Sequence, residues 1–215
     1  MNKKFLPKVF GWMFIGLLVT FLTAYTVSLN AKMLENIYSS FWTIIIFIVE
    51  IIISFTLSTK IDKLSGTTAT CLYIFFAFIT GLSFSFIFLA YEMASIIIIF
   101  LVAAILFGIF ALIGKYTKID LSKIRTYLTM GLFAVLIIMF INFFIANNTI
   151  DIIACIISII VFLGFTAYDI QNICENSMYY DIEERNIAII GAFSIYLDFI
   201  NLFMDLLRLF GDPRD

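Results

Sequence analysis

Two aspartates set in apolar surroundings are the residues whose type and spacing point most directly to chemistry. Asp169 stands in Gly164-Phe165-Thr166-Ala167-Tyr168-Asp169-Ile170-Gln171, and Asp198 in Ser194-Ile195-Tyr196-Leu197-Asp198-Phe199-Ile200-Asn201. Between these segments lies a carboxylate-rich stretch, Glu175 to Arg185, where a helical hairpin is expected to turn. The aspartates lie almost symmetrically about Glu183 and Glu184. If both arms are helical, each aspartate sits about 20 Å of helix from the turn, at a rise of about 1.5 Å per residue. Like-charged carboxylates held close together cannot both stay ionised cheaply, so they share a proton. Such a pair is a pH sensor, a proton relay or a cation site, since calcium takes carboxylate and amide oxygens. Thr166, Asn172, Ser194 and Asn201 are nearby oxygen donors of the right type. The structural alternative is that each aspartate hydrogen-bonds a helix terminus or a tyrosine and fixes packing. Two intramembrane carboxylates at matched depth favour the functional reading.

The helices that must position these groups carry more polar residues. Ser194, Asp198, Asn201, Asp205 and Arg208 follow at spacings of four, three, four and three, a single stripe along one helix face. Lipid cannot solvate such a stripe, so the helix bearing it is expected to be enclosed by the others. A shorter stripe, Thr166, Asp169 and Asn172, lies on the preceding helix. Glu50 is a further buried ionisable group. It is expected to line or gate the same path, to pair with Arg208 or Lys60, or to sit protonated against the last helix. Arg208 snorkels to the headgroups or pairs within its own helix with Asp205, three residues away. The three carboxylates and Arg208 are expected to converge.

Composition sets the class. Of 215 residues, 63% are apolar and 13% are charged, half of the roughly 25% that covers a soluble domain. The chain therefore reads as an all-α polytopic membrane protein, with seven transmembrane helices in a single domain, residues 1–215, and the seventh helix central. The spans are expected at Val9–Leu29, Phe41–Thr59, Thr68–Ala90, Ser95–Gly114, Tyr127–Ala146, Ile150–Cys174 and Asn186–Phe210. The first is long enough to cross a bilayer and is read as a retained helix rather than a signal peptide. Lysines and arginines fall ten to three on the side of the N-terminus, which places that terminus in the cytoplasm. Seven spans put the C-terminus outside. A re-entrant last helix with both termini inside is the alternative. The expected location is the cell (inner) membrane, with Tyr38 and Trp42 as interfacial anchors.

The same composition excludes other classes. A net charge of −2 without a basic patch argues against a nucleic-acid partner. The absence of histidine excludes a His-dependent zinc site and a serine–histidine–aspartate triad. Cys71, Cys155 and Cys174 lack CxxC spacing and read as small apolar residues. The 26 phenylalanines are packing and lipid contact. Gly11, Gly16, Gly81, Gly108, Gly131, Gly164 and Gly191 are expected to permit close helix approach. No Gly-rich phosphate loop is present, and no organic cofactor is expected.

At the two aspartate segments, and in Gly191-Ala192-Phe193-Ser194 leading into the second, the chain resembles the Bax inhibitor-1 family, the transmembrane Bax-inhibitor-motif proteins, and in particular their prokaryotic branch. The likeness covers the seven-span pattern in outline and specific motifs in the last quarter. It implies six helices around a central seventh. It also implies a pH-dependent calcium leak conductance controlled by an aspartate pair that matches Asp169 and Asp198. Eukaryotic members are associated with endoplasmic-reticulum calcium and suppression of cell death, of which a bacterial-looking chain need share only the ion handling. The basic C-terminal tail of some members is here reduced to Gly211-Asp212-Pro213-Arg214-Asp215.

Several functions therefore compete. The first is a pH-sensitive calcium leak channel with calcium, protons and the lipid bilayer as partners, or its variant, a proton-coupled calcium exchanger. A second is a regulatory protein that acts by binding other membrane proteins. A third is an intramembrane aspartyl protease. Its Gly-x-Gly-Asp motif is replaced here by Ile195-Tyr196-Leu197-Asp198, so the chain is expected not to be an enzyme.

Overall fold

In hydrocarbon a backbone N–H or C=O has no water to turn to, so an apolar run without proline must satisfy itself as a helix. The chain has two prolines. Pro7 stands in the first turn of a helix, where a missing N–H costs little, and Pro213 follows the last one. The structure, a computed structural model, describes residues 5–60, 63–176 and 184–214. These form α1 (Phe5–Ser28), α2 (Ala31–Ile37), α3 (Ser40–Thr59), α4 (Gly66–Phe84), α5 (Ile87–Ala90), α6 (Met93–Tyr116), α7 (Ser122–Ile145), α8 (Asn148–Asn176) and α9 (Glu184–Phe210). Seven stretches are long and apolar enough to cross a bilayer, α4 and α5 together making one of them, Gly66–Ala90. The chain is an all-α polytopic membrane protein. The expected hairpin turn falls largely on residues 177–183, outside the described residues.

Hydropathy locates the spans but not their full helical length. α7 begins at Ser122, where apolarity alone suggests Tyr127, because the helix runs on past its apolar section. Its C-terminus closes on Ala146, the one described non-glycine residue with positive φ (54°). Asn147 then caps α8, its Oδ1 accepting from the N–H groups of Thr149 and Ile150 at 2.9 and 3.2 Å. Of the seven spans, that of α9 is the most enclosed, with 67% of its apolar window buried against 50% or less for the others.

The chain divides into two compact units. The first comprises Met1–Glu92, Ser177–Tyr196 and Pro213–Asp215. In it α1 lies close against α4. Gly16 leaves room for the Tyr73 hydroxyl, which any added Cβ would strike, and Thr20 Oγ1 reaches the Ala77 carbonyl at 2.9 Å. Phe76 and Phe193 meet edge to face at 5.0 Å. The second unit comprises Met93–Asn176 and Leu197–Asp212. Here α6 meets α8 at Gly114, where a Cβ would run into the Ala167 carbonyl. Phe199 of α9 packs against Phe100 and Phe107 of α6, at 5.2 and 5.6 Å between ring centres. Close approach also occurs at Gly81, Gly131 and Gly164. At Gly11 and Gly108 nothing lies within 4 Å of an added Cβ, so these two face open space and do not mediate packing, contrary to expectation.

The short helix α2 and the interruption between α4 and α5 form one device. Helix breaks free backbone groups, and Tyr38 collects them. Its hydroxyl donates to the Ser83 carbonyl at 2.9 Å and accepts from the Phe86 N–H at 3.0 Å. Burial pushes the Tyr38 phenol above its ordinary pKa, so it remains a neutral donor. Tyr38 is thus a plug for a broken helix rather than a simple interfacial anchor. Tyr38→Phe should leave the Phe86 N–H unpaired at a cost of about 1–3 kcal/mol. Thermal unfolding in detergent is expected to show a lowered midpoint, and an unchanged midpoint would remove this role.

Candidate functional site

The end of α8 that carries Asp169 is fixed by three contacts within the second unit. Gln171 clamps the α6–α7 connection, its Oε1 accepting from the Leu121 N–H and its Nε2 donating to the Ile119 carbonyl, both at 2.8 Å. The Arg125 guanidinium lies 5.7 Å from the centre of the Tyr168 ring, a cation–π distance. Gly114 brings the backbone of α6 onto that of α8 at Ala167, two positions before Asp169. The Tyr-Asp-x-Gln segment therefore works as a mount, with tyrosine and glutamine holding the helix on either side of the aspartate.

Asp198 is 5% exposed, and its Oδ2 has no hydrogen-bond partner among the described residues. The charged group that acts on it is Asp169. The structure thus brings the two aspartates into electrostatic contact within one unit. Among the described residues, no third Asp, Glu, Cys or His joins them in a metal-holding group. The neutral donors are partly committed. Thr166, fully buried, donates to the Phe162 carbonyl of its own helix at 2.8 Å, and Asn201 Nδ2 donates to the Leu197 carbonyl at 2.7 Å. Each keeps an oxygen with free lone pairs. Asn172 is half-buried in the same unit, whereas Ser194 is half-buried and belongs to the first unit.

Two turns along α9 the stripe meets a different environment. Arg208 was expected to snorkel or to pair with Asp205 inside the helix. Its ion pair instead reaches across to Asp151 in the first turn of α8, at 3.6 Å. The guanidinium also lies 3.8 Å from Cys155 Sγ. Asp205, 6% exposed, lies beside the Ser158 hydroxyl and the Cys155 thiol and feels the Arg208 charge. Asp151 and Ser158 do not stand out in the sequence, and Cys155 reads there as a small apolar residue. Their spacing of four and three along α8 is the signal that could have found them, since it faces them to the stripe of α9. Glu50 is placed differently from the expectation of a pair with Arg208 or Lys60. It accepts a hydrogen bond from Ser83 Oγ at 2.9 Å inside the first unit.

Residues 2–215 match the family described as "Inhibitor of apoptosis-promoting Bax1". The chain belongs to the Bax inhibitor-1 family. An uncharacterized protein of Borreliella burgdorferi is 36% identical over 220 residues, covering 100% of this chain and 94% of the relative. The inner membrane protein YbhL of Escherichia coli K12 is also 36% identical, over 217 residues, covering 99% and 93%. The protein RP147 of Rickettsia prowazekii is 33% identical over 218 residues, covering 99% and 91%. As a Bax inhibitor-1 family member the chain is a multi-pass membrane protein.

Two stability predictions follow from the mount and the ionic cluster. Gly114→Ala should cost about 1–3 kcal/mol, the usual penalty of overpacking, and its thermal midpoint in detergent should fall below that of Gly108→Ala, which meets open space. In the cluster, Ser158→Ala should cost about 1–3 kcal/mol, because it deprives a buried carboxylate of a donor. Asp151→Asn breaks a half-exposed ion pair and should cost at most about 1 kcal/mol. A reversed order would show that the cluster is held by the ion pair.

Proposed function

We propose that this chain is a pH-sensitive calcium leak channel of the inner membrane, gated by the pair Asp169 and Asp198. The observation that carries the reading is the buried Asp198 carboxylate, whose Oδ2 has no partner among the described residues and whose charged neighbour is another carboxylate. A proton shared between the two gives one carboxyl a hydrogen to donate to the other and leaves one charge where there would be two. The pair then ties α8 to α9 and the path is closed. Loss of that proton sets two negative charges against each other. Two like charges set against each other away from water repel strongly, and that repulsion opposes the closed state. The same two charges form a site for calcium, with lone pairs of Thr166 and Asn201 to complete it and Asn172 alongside. Farther along α9, Asp205 and Arg208 line the route. YbhL of Escherichia coli is named an inner membrane protein, which supports the same location here. The excess of lysine and arginine supports a cytoplasmic N-terminus and an outer C-terminus.

The test is calcium flux into proteoliposomes of purified protein across a pH series. Wild-type flux should change with pH by up to about tenfold per unit, the limit for one titrating proton. Asp169→Asn and Asp198→Asn should each flatten the profile. Wild-type profiles in both variants would overturn the gating role, and fixed-ratio proton counterflow would make the protein an exchanger.

A further inference from the structure

The first unit holds a second buried carboxyl with surroundings of its own. Glu50 of α3 receives the Ser83 hydroxyl of α4. One turn earlier on α4, Thr80 is 5% exposed, and its Oγ1 has no hydrogen-bond partner among the described residues. That is unusual for a helical threonine, whose hydroxyl normally donates to the carbonyl one turn back. Thr20, Thr26, Thr56 and Thr70 all do so. The Thr80 hydroxyl instead lies beside both Glu50 and the Tyr196 phenol.

The hydrogens of this group can be assigned. Tyr196, 0% exposed, shares a 2.6 Å hydrogen bond with Thr20 Oγ1. Thr20 has a single hydroxyl hydrogen, with the Gly16 and Ala77 carbonyls as acceptors at 3.0 and 2.9 Å. Its hydrogen goes to one of them, so the phenol is the donor to Thr20. The Tyr196 oxygen therefore keeps lone pairs able to receive the Thr80 hydrogen. Thr80 in turn keeps lone pairs that only a new donor can fill. A protonated Glu50 is such a donor.

We propose that Glu50, Thr80, Ser83 and Tyr196 form a proton-binding site in the first unit, separate from the aspartate pair. A proton from water adds to the Glu50 carboxylate and gives a neutral acid. Its new O–H donates to Thr80 Oγ1, and the Thr80 hydrogen turns to the Tyr196 oxygen. Release runs the same steps backwards, with no other bond made or broken. The titratable groups facing Glu50 are phenols: Tyr196 of α9, with Tyr73 of α4 edge-on to it at 5.9 Å, and Tyr38, whose hydroxyl binds the Ser83 carbonyl. From α1 the group receives Thr20, which is neutral. One carboxylate among hydroxyls suits a proton, since hydroxyls both give and accept hydrogen. Calcium takes six to eight oxygens, several of them charged.

The test is infrared difference spectroscopy of the full chain in liposomes during a pH titration. It reads the carbonyl band of protonated carboxyls in the wild type and in Asp169→Asn/Asp198→Asn, where the pair is silent. In both backgrounds Glu50→Gln should remove one titrating band, and the Gln side chain can still accept from Ser83. Thr80→Val should keep the band but move its midpoint by about one pH unit, the worth of one hydrogen bond to the protonated carboxyl. Thr80→Ser should leave the midpoint in place. A spectrum unchanged by Glu50→Gln, or a midpoint unmoved by Thr80→Val, would overturn the proposal whatever the aspartate pair does.

Discussion

A polar group enclosed among apolar helices must find its partner within the chain, because neither water nor lipid supplies one. Most of the local chemistry of this protein answers that constraint. Tyr38 collects the backbone groups freed where α4 gives way to α5. Gln171 binds the α6–α7 connection with both ends of its amide. Helical threonines return their hydroxyls to the preceding turn. Against that background, a buried oxygen left without a partner is informative, since native proteins leave few of them. Asp198 Oδ2 and Thr80 Oγ1 are such oxygens, and each lies beside a carboxyl.

Both environments draw on α9. Its first part, to Tyr196, belongs to one compact unit and its second part, from Leu197, to the other. Side chains two positions apart do not share a helix face, so Tyr196 and Asp198 serve different neighbours although their backbones are almost adjacent. The phenol joins a set of neutral hydroxyls, whereas the aspartate faces a like charge. A helix with polar groups to place in two settings has little surface left to offer to lipid.

The architecture was largely legible from hydropathy, because a bilayer imposes a single length on every spanning helix. The span Phe41–Thr59 is the same in sequence and structure. Asp169 and Asp198 share one compact unit, and the charge of Asp169 acts on Asp198. What stayed hidden was local. α2 is too short and too mixed to register as a span, and the interruption at Ser85 lies inside an unbroken apolar run. Nothing in sequence indicated that Tyr38 crosses to that interruption. The partner of Arg208 was missed for a related reason. Asp205 of its own helix and Glu50 are the partners the sequence suggests, but a guanidinium at a helix end reaches a neighbouring helix as easily, and there it finds Asp151. Glu50 was read through its charge alone, while the hydroxyls around it come from Ser83 and Thr80, residue types too common to stand out.

The polar stripe of α9 separates packing from function by the company each ionised group keeps. If the stripe were there only to hold helices together, each of its charges should meet a donor or an opposite charge, since that is the cheapest way to bury it. Arg208 meets Asp151, and Asp205 meets Ser158, Cys155 and the Arg208 charge. These two behave as a packing account requires. Asp198 is buried as deeply as Asp205, at 5% against 6% exposure, yet the charge that faces it has the same sign as its own. On one helix, at similar exposure, the chain sets hydroxyl, thiol and guanidinium groups about one carboxylate and a second carboxylate about the other. Equal burial removes depth as the explanation. The difference lies in the sign of the neighbouring charge, which the packing of the stripe does not explain.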